Sequence, residues 1–340
     1  MHTPIAVAVL NWNGRALLEK YMPSVVAHSA PHPVYVIDNA STDDSLDFLA
    51  SAFPTVQVIQ TGENLGYAGG YNKGLESISE SFAVLLNSDV RTTPGWLNPI
   101  EEHFKEHPDC AALQPKILWD RSPDTFEYAG AAGGYMDSLG YPFCRGRMLN
   151  ELEKDIGQYN DARPVFWATG ACLAVRTDLF KQLGGLDPML FAHMEEIDLC
   201  WRMQRAGYSV WVQPESTVYH LGGATLSANS PHKTYLNFRN NLIMIVKNMP
   251  HFSAMGLIFI RLLLDGLAGI KFILEGKPLH TWAIVRAHFG FYARFTRVQR
   301  ARATHAQYGF KAMHELNGTY AGSMVWQFYV RSKKRFSDFY

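Results

Sequence analysis

Apolar residues in the first quarter of the chain come in short continuous runs, separated by longer stretches of mixed polarity. The first run covers residues 5–10 and stops at the polar turn Asn11-Trp12-Asn13-Gly14. A helical stretch follows to about Ser29. A second run, 34–37, ends at Asp38-Asn39, and a helical pattern covers 43–53. A third run covers 56–59, residues 71–79 read as a helix, and 82–86 form a fourth run. Strands this short, continuously apolar and separated by helices, predict a parallel sheet covered on both faces. The expected fold class is α/β, and ligands of such sheets bind beyond the carboxyl ends of the strands.

Polar residues gather at those ends. Asn11 and Asn13 follow the first strand, Asp38 and Asn39 the second, Asn64 and Gly66 the third, Asn87 and Asp89 the fourth. A turn or helix cap accounts for any one of them, because Asn and Asp favour both. Their recurrence at one edge of the sheet favours a site. Beyond them, residues 119–163 are rich in Gly, Tyr and charge with weak periodicity, and read as an insertion or mobile loop. Residues 165–175 are strand-like, 194–206 helical, and 210–213 and 217–219 two short strands. From His232 the pattern is helical to the end. This predicts a first domain over 1–240 and a helical region over 241–340.

Composition narrows the function. The chain has 340 residues, 47% of them hydrophobic, which is a globular composition with room for a large core. Formal net charge is zero, which argues against a general nucleic-acid binder. The zero conceals an asymmetry: residues 276–340 hold 11 basic and 2 acidic side chains, and the remainder 20 basic and 29 acidic. A basic tail on an acidic body suggests an anionic partner such as a membrane surface, although a solvated basic face is the commoner origin of such a run. Cys110, Cys144, Cys172 and Cys200 form no C-x-x-C pair, so reduced thiols are expected. The first ten residues lack the basic segment and long apolar run of a secretory signal, which predicts a cytosolic orientation.

Four constellations could carry chemistry. Asn87-Ser88-Asp89 closes an apolar strand, and a carboxylate there can hold a divalent cation over a diphosphate. Alone it is also an ordinary turn. Glu195-Glu196-Ile197-Asp198, preceded by His193, crowds three acids into a first helical turn. Pairing with the helix dipole explains such a cluster, and general-base catalysis is the functional alternative. His220 follows an apolar lead-in and could join an Asp in a mixed N/O metal site. From Asn64 to Gly74 the chain is glycine-rich, yet it matches neither G-x-G-x-x-G nor G-x-x-x-x-G-K-[ST], so it carries no dinucleotide or P-loop fingerprint.

Taken in order, these segments, with Thr169-Gly170-Ala171, Gly184-Gly185-Leu186-Asp187 and Trp201-Arg202, resemble the family 2 glycosyltransferases of the GT-A fold, especially their rhamnosyltransferase-like branch. The resemblance covers roughly the first 240 residues. It implies a Rossmann-like, mostly parallel sheet flanked by helices, with a helical C-terminal extension. Asn11 and Asp38 would contact the nucleoside; Asn64, Gly66, Gly70 and Asn87 would line the donor pocket. Asp89 matches the metal-binding Asp of the D-x-D motif, and His220 a histidine that completes the site for Mg2+ or Mn2+. Glu196 matches the general base, a role Glu195 could exchange with it, while Asp198 and Trp201 would orient or support. Two departures stand out: Asn87 replaces the first Asp of D-x-D, and Glu196 stands where many relatives carry Asp. The implied reaction is transfer of a sugar, with inversion, from a nucleoside-diphosphate sugar to a glycan or lipid-linked acceptor at the cytoplasmic face of a membrane. dTDP-rhamnose is the favoured donor and UDP-sugars the close alternatives.

Residues 252–274 are largely apolar but interrupted by Arg261, Asp265 and Lys271. Each charge at a bilayer centre costs about 2.5–3.5 kcal/mol, which disfavours a spanning helix. A buried helix and an amphipathic helix lying in a membrane interface both remain. Arg286, Arg294, Arg297, Arg300 and Arg302 favour the second, and with it a peripheral membrane contact. Among other functions, a sugar nucleotidyltransferase would need a run of glycines after the first strand, which Asn11-Trp12-Asn13-Gly14-Arg15 lacks. A catalytically silent nucleotide-sugar-binding or membrane protein is opposed by the acid cluster.

Overall fold

The computed structural model describes residues 4–222 and 230–338. In the first part of the chain β1 (Ile5–Asn11), α1 (Arg15–Ser29), β2 (Val34–Asp38), α2 (Ser45–Ala52), β3 (Gln57–Gln60), α3 (Gly66–Glu76) and β4 (Phe82–Asn87) alternate. Strand parity explains why both faces of β1, β2 and β4 are covered, while β3 at the edge is largely exposed. Ile5, Val7 and Val9 pack with Leu18 and Met22 of α1 and Leu49 of α2. Ala6 and Ala8 point the other way, among Tyr71 and Leu75 of α3. Each Val, Ile, Leu or Met side chain so buried contributes about 1.5–3 kcal/mol. The helix expected over 71–79 starts earlier, at Gly66, because the glycines at 66, 69, 70 and 74 hide its helical pattern.

β5 (Val90–Thr92), α4 (Asn98–Glu106) and β6 (Cys110–Trp119) come next. β7 (Ser122–Phe126), β8 (Gly134–Asp137), β9 (Pro142–Cys144), β10 (Arg147–Met148) and β11 (Glu151–Leu152) occupy the segment expected to be a loop. That expectation is corrected. β8 to β11 build a second sheet, and Phe126, Tyr135, Phe143 and Met148 are buried. Its strands are two to four residues long, too short to show a period in sequence.

The chain then returns to the main sheet through β12 (Arg163–Pro164), β13 (Cys172–Arg176), α5 (Thr177–Gln182), α6 (Glu195–Arg205) and β14 (Ser209–His220). Residues 210–213 and 217–219, expected as two strands, are one strand with an irregularity between Gln213 and Thr217. Strands β3, β2, β1 and β4 are parallel in that order. Beyond β4, β13 runs antiparallel, and β6 and β14 follow as a parallel pair. β14 also pairs antiparallel with β5, with His220 opposite Val90. This register carries the end of β14 onto the turn after β4, where Asp89 stands.

The remaining helices are α7 (Pro231–Asn248), α8 (His251–Leu274), α9 (Pro278–Tyr292) and α10 (Phe295–Thr304). A short irregular tail carries β15 (Thr319–Tyr320) and α11 (Met324–Tyr329), so the region is not helical throughout. Nor does it stand apart. β15 pairs in parallel with β8, and Leu242 and Ile245 of α7 belong to the core layer that holds Leu199 and Met203 of α6. All four cysteines are buried and free.

Candidate active site

At the carboxyl ends of β4 and β14 a cavity of about 470 Å³ opens. Asn87, Asp89, Glu195, Glu196 and His220 line it, together with Tyr67, Glu127, Gly170, His193 and Lys233. Asp89 and His220 meet on one wall, with His220 Nε2 3.0 Å from Asp89 Oδ1 and both residues buried. On the other side of the ring, Nδ1 lies 3.3 Å from Glu127 Oε2, without a hydrogen-bonding alignment. Glu127 Oε2 in turn accepts from the Ala129 N–H at 2.5 Å. Burial alone would lower the His220 pKa, but the Glu127 and Asp89 carboxylates outweigh it and raise it to about 10. Asn87 Nδ2 approaches His220 Nε2, the nitrogen that faces Asp89, at 3.5 Å.

Glu195 and Glu196 come from the first turn of α6. The chain enters that helix through Phe191, His193 and Met194, all with positive φ of 66°, 69° and 76°. Such conformations cost about 1–3 kcal/mol each in a non-glycine residue and need outside support. Asn240 of α7 supplies it, donating to the carbonyls of Leu190, Ala192 and His193 at 2.8–2.9 Å. Burial pushes both carboxyls up. Glu195 rises well above its ordinary value, through burial and then the neighbouring Glu196 charge. Glu196 reaches about 7, where the N–H groups of this turn partly offset burial. Among the described residues, one carboxylate oxygen of each is buried without a protein partner. His193, also facing the cavity, is lowered to about 4 by burial and then Lys233, so its imidazole is neutral at neutral pH.

Asp198, one turn on, does something else. It takes Arg202 at 2.9 Å, Lys247 at 2.9 Å and Asn248 at 2.8 Å, and burial is overcome so that its pKa falls far below the usual range. It locks α6 to α7. Trp201, fully buried edge-on against Phe166 at 5.1 Å, packs beneath the helix.

The other residues expected to contact the donor, Asn11, Asp38, Asn64, Gly66 and Gly70, do not line this cavity. The register sets Asn11 opposite Asp38; Asn11 Nδ2 reaches Asp38 Oδ1 at 3.3 Å, and Asp38 Oδ2 accepts from Ser41 N–H at 3.0 Å. Asn11 Oδ1 is buried without a partner among the described residues. Asn64 accepts from Asn39 at 3.0 Å and from the Gly66 N–H at 2.9 Å, shaping the entry to α3, where Gly66 has φ of 69°. Gly70 faces inward: a Cβ there would stand 2.6 Å from Leu10 Cδ1, so this glycine lets α3 close on β1.

A family model described as glycosyltransferase-like family 2 matches residues 2–235. The chain belongs to this family. A curated relative, the N-acetylglucosaminyl-diphospho-decaprenol L-rhamnosyltransferase of Mycobacterium tuberculosis, is 29% identical over 241 residues, covering 65% of this glycosyltransferase and 77% of the relative. Among solved structures, S. aureus TarS 1-349 in complex with UDP-GlcNAc superposes with a TM-score of 0.54 at 16% identity, covering 90% and 91% of the two chains. GalNAc-T7 with UDP, GalNAc and Mn2+ gives 0.57 at 15% identity, over 74% of this chain and about half (49%) of that one. The fold is GT-A.

In this glycosyltransferase the structure thus brings together Asn87, Asp89, Glu195, Glu196 and His220, from three distant segments. Glu127, Tyr67 and Lys233 join them unannounced by sequence. Glu127 falls in the segment read as a loop; Tyr67, which donates to Gly170 O at 2.7 Å, looks like one more residue of the glycine-rich stretch. Lys233 was readable only as one basic residue at a helix start. Among the described residues no three His, Cys, Asp or Glu side chains form a ready-made metal cluster. Asp89 and His220 nonetheless fit a divalent ion of the Mg2+ or Mn2+ type, on condition that the ion displaces the proton His220 carries: an oxygen and a nitrogen ligand then meet at the cavity wall, and such ions complete their shell with substrate phosphates and water.

Proposed function

We propose that this glycosyltransferase moves a sugar, rhamnose in preference, from a nucleoside diphosphate to a hydroxyl of a lipid-linked glycan precursor at the inner face of a membrane, with inversion. The observation that carries the reading is the pairing, within one cavity, of an unpartnered Glu196 carboxylate oxygen with the Asp89–His220 wall. A displacement needs a base for the acceptor proton and positive charge for the leaving diphosphate. Glu196 takes the proton as the acceptor oxygen attacks the anomeric carbon; the bond to the diphosphate oxygen breaks, and the nucleoside diphosphate leaves. Asp89 and His220 would hold Mg2+ or Mn2+, which when bound supplies Lewis acidity to that leaving group. Asn11 and Asp38, side by side with a spare buried acceptor, suit the nucleoside. Lys233 can meet donor or acceptor phosphate, and Glu195, held protonated by burial, can donate a hydrogen bond. The mycobacterial relative, a rhamnosyltransferase acting on N-acetylglucosaminyl-diphospho-decaprenol, supports the choice of rhamnose and of a polyprenyl-diphosphate acceptor.

The test is nucleoside-diphosphate release from dTDP-, UDP- and GDP-sugars, with a short-chain lipid-diphosphate-GlcNAc acceptor and Mg2+ or Mn2+. Acceptor-dependent release from dTDP-rhamnose, abolished by chelator and lost in Glu196→Gln, is expected. Release unaffected by Glu196→Gln would remove the base assignment; chelator-insensitive release would remove the metal from Asp89 and His220. A donor bound but never consumed would favour the silent binding protein.

A further inference from the structure

α8 is apolar on the outside and ionic within. Its buried stripe includes Arg261 and Asp265, paired at 3.3 Å, and His288 of α9 reaches the same carboxylate at 3.0 Å. Arg261 also stacks over Tyr141, 3.8 Å from the ring centre, and donates to Asn241. The opposite stripe carries Phe252, Phe259, Leu263, Leu267, Ile270 and Leu274, all exposed, Phe252 at 90% and Leu274 at 82%. From Phe252 to Ile270 no exposed residue bears a charge. α9 extends the surface with Leu279, Trp282 and Phe289. Of 23 exposed large apolar side chains among the described residues, 14 lie in these two helices, so they form a patch and not the scattering normal to a surface.

Three observations say what covers the patch. Exposed cations accompany it: Arg286, one turn from Trp282 and from Phe289 on the α9 surface, and Arg297 and Arg300 on the following helix α10 have no ion-pair partner among the described residues. Two copies meeting there would bring like charges together, whereas an anionic surface attracts them. No helix among the described residues is long and apolar enough to cross a membrane, so the contact would lie along the interface. At about 1.5 Å per residue, the 24 residues of α8 would extend roughly 36 Å along it. Finally, the hairpin tip adjoins the catalytic cavity. His280, at the start of α9, bonds Thr234 at 2.8 Å, and the preceding residue, Lys233, lines the cavity.

We propose that the α8–α9 hairpin is a membrane-docking surface, its apolar face seated at the acyl boundary of an anionic bilayer and its cations among the headgroups. Docked this way, the cavity opens beside the lipid surface. The proposal rests on the transferase reading only for what the cavity would receive there; the docking stands without it.

Co-sedimentation with vesicles tests it using the full chain and no substrate. The protein should bind phosphatidylglycerol vesicles, bind phosphatidylcholine vesicles more weakly, and be partly released by salt. Leu263→Asp with Leu267→Asp should weaken binding roughly tenfold or more, with circular dichroism and thermal midpoint unchanged. Arg286→Glu, Arg297→Glu and Arg300→Glu together should abolish the preference for the anionic lipid. Failure of the wild type to bind either vesicle would overturn the proposal. So would undiminished binding by the aspartate variant, or a dimer in solution that this variant splits. Because donor and acceptor are absent, a negative result here leaves the transferase reading intact, and inactivity in the release assay leaves this one intact.

Discussion

A carboxylate that takes a proton from a sugar hydroxyl works best when its pKa lies near the working pH. Burial brings Glu196 to about 7, from an ordinary value of 4.5, and sets two pH effects against each other. Between those values the folded state holds a proton that the unfolded state has lost, so folding stability falls as pH rises through that window. The active, deprotonated fraction grows over the upper part of it. The rate should therefore climb on an acid limb near neutrality. Glu196→Gln should remove that limb and lower kcat by about 10²–10⁴. The same variant should be more stable than wild type at pH 8, by on the order of 1–2 kcal/mol after allowing for partial exposure, and show little gain at pH 4. Rate profiles and thermal melts at both pH values check this; a variant destabilised at pH 8 would contradict it. Asp89, Glu196 and His220 were legible because each closes or opens an element. Glu127 was not, since a lone acid in an aperiodic segment carries no local sign of the histidine it will face.

The turn into α6 shows how one element positions another. Three residues with positive φ precede the acid pair, and Asn240, reaching from α7, holds the segment through the carbonyls of Leu190, Ala192 and His193. Arg239 assists at Leu190, 3.0 Å away. Asn240→Ala would strand buried carbonyls, at about 1–3 kcal/mol. It should also let Glu196 drift, lowering kcat by up to about a hundredfold. Donor binding at the Asn11–Asp38 side should change little. Steady-state kinetics beside donor titration tests this; a rise in KM with kcat preserved would place the effect elsewhere. The helix itself was readable from its apolar and acidic spacing. The strain at its entry was not, because neither Phe191 nor Met194 favours a left-handed backbone and His193 does so only weakly.

Distant parts of the chain close the molecule. Phe336, near the C-terminus, stacks among Tyr135, Phe143 and Tyr159 of the second-sheet region at 4.8, 6.1 and 5.8 Å, and its N–H bonds Glu153 at 3.0 Å. Asp137 accepts from Met324 N–H at 2.9 Å beside the β8–β15 pair. Glu127 stands between β7 and β8, so the tail props the layer that holds it. Phe336→Ala should cost about 3–5 kcal/mol and raise the KM for donor, with a single unfolding transition retained. Calorimetry and donor titration would show it; a separate early transition would mean that the second sheet folds on its own.

Local sequence determined what depends on near neighbours: four short apolar strands, the helices between them, and polar groups at the strand ends, since period and turn chemistry act over a few residues. It also limited α8, whose charges at Arg261 and Asp265 are too costly for a bilayer centre. Tertiary structure decided what depends on residues far apart. The β5–β14 register set Asp89 against His220, the pairing of β8 to β11 turned an apparent loop into a sheet, and packing chose which face of α8 to bury. That last choice follows from solvation. An arginine and an aspartate can be buried together when paired with each other and with Tyr141, Asn241 and His288, and those partners come from three other parts of the chain.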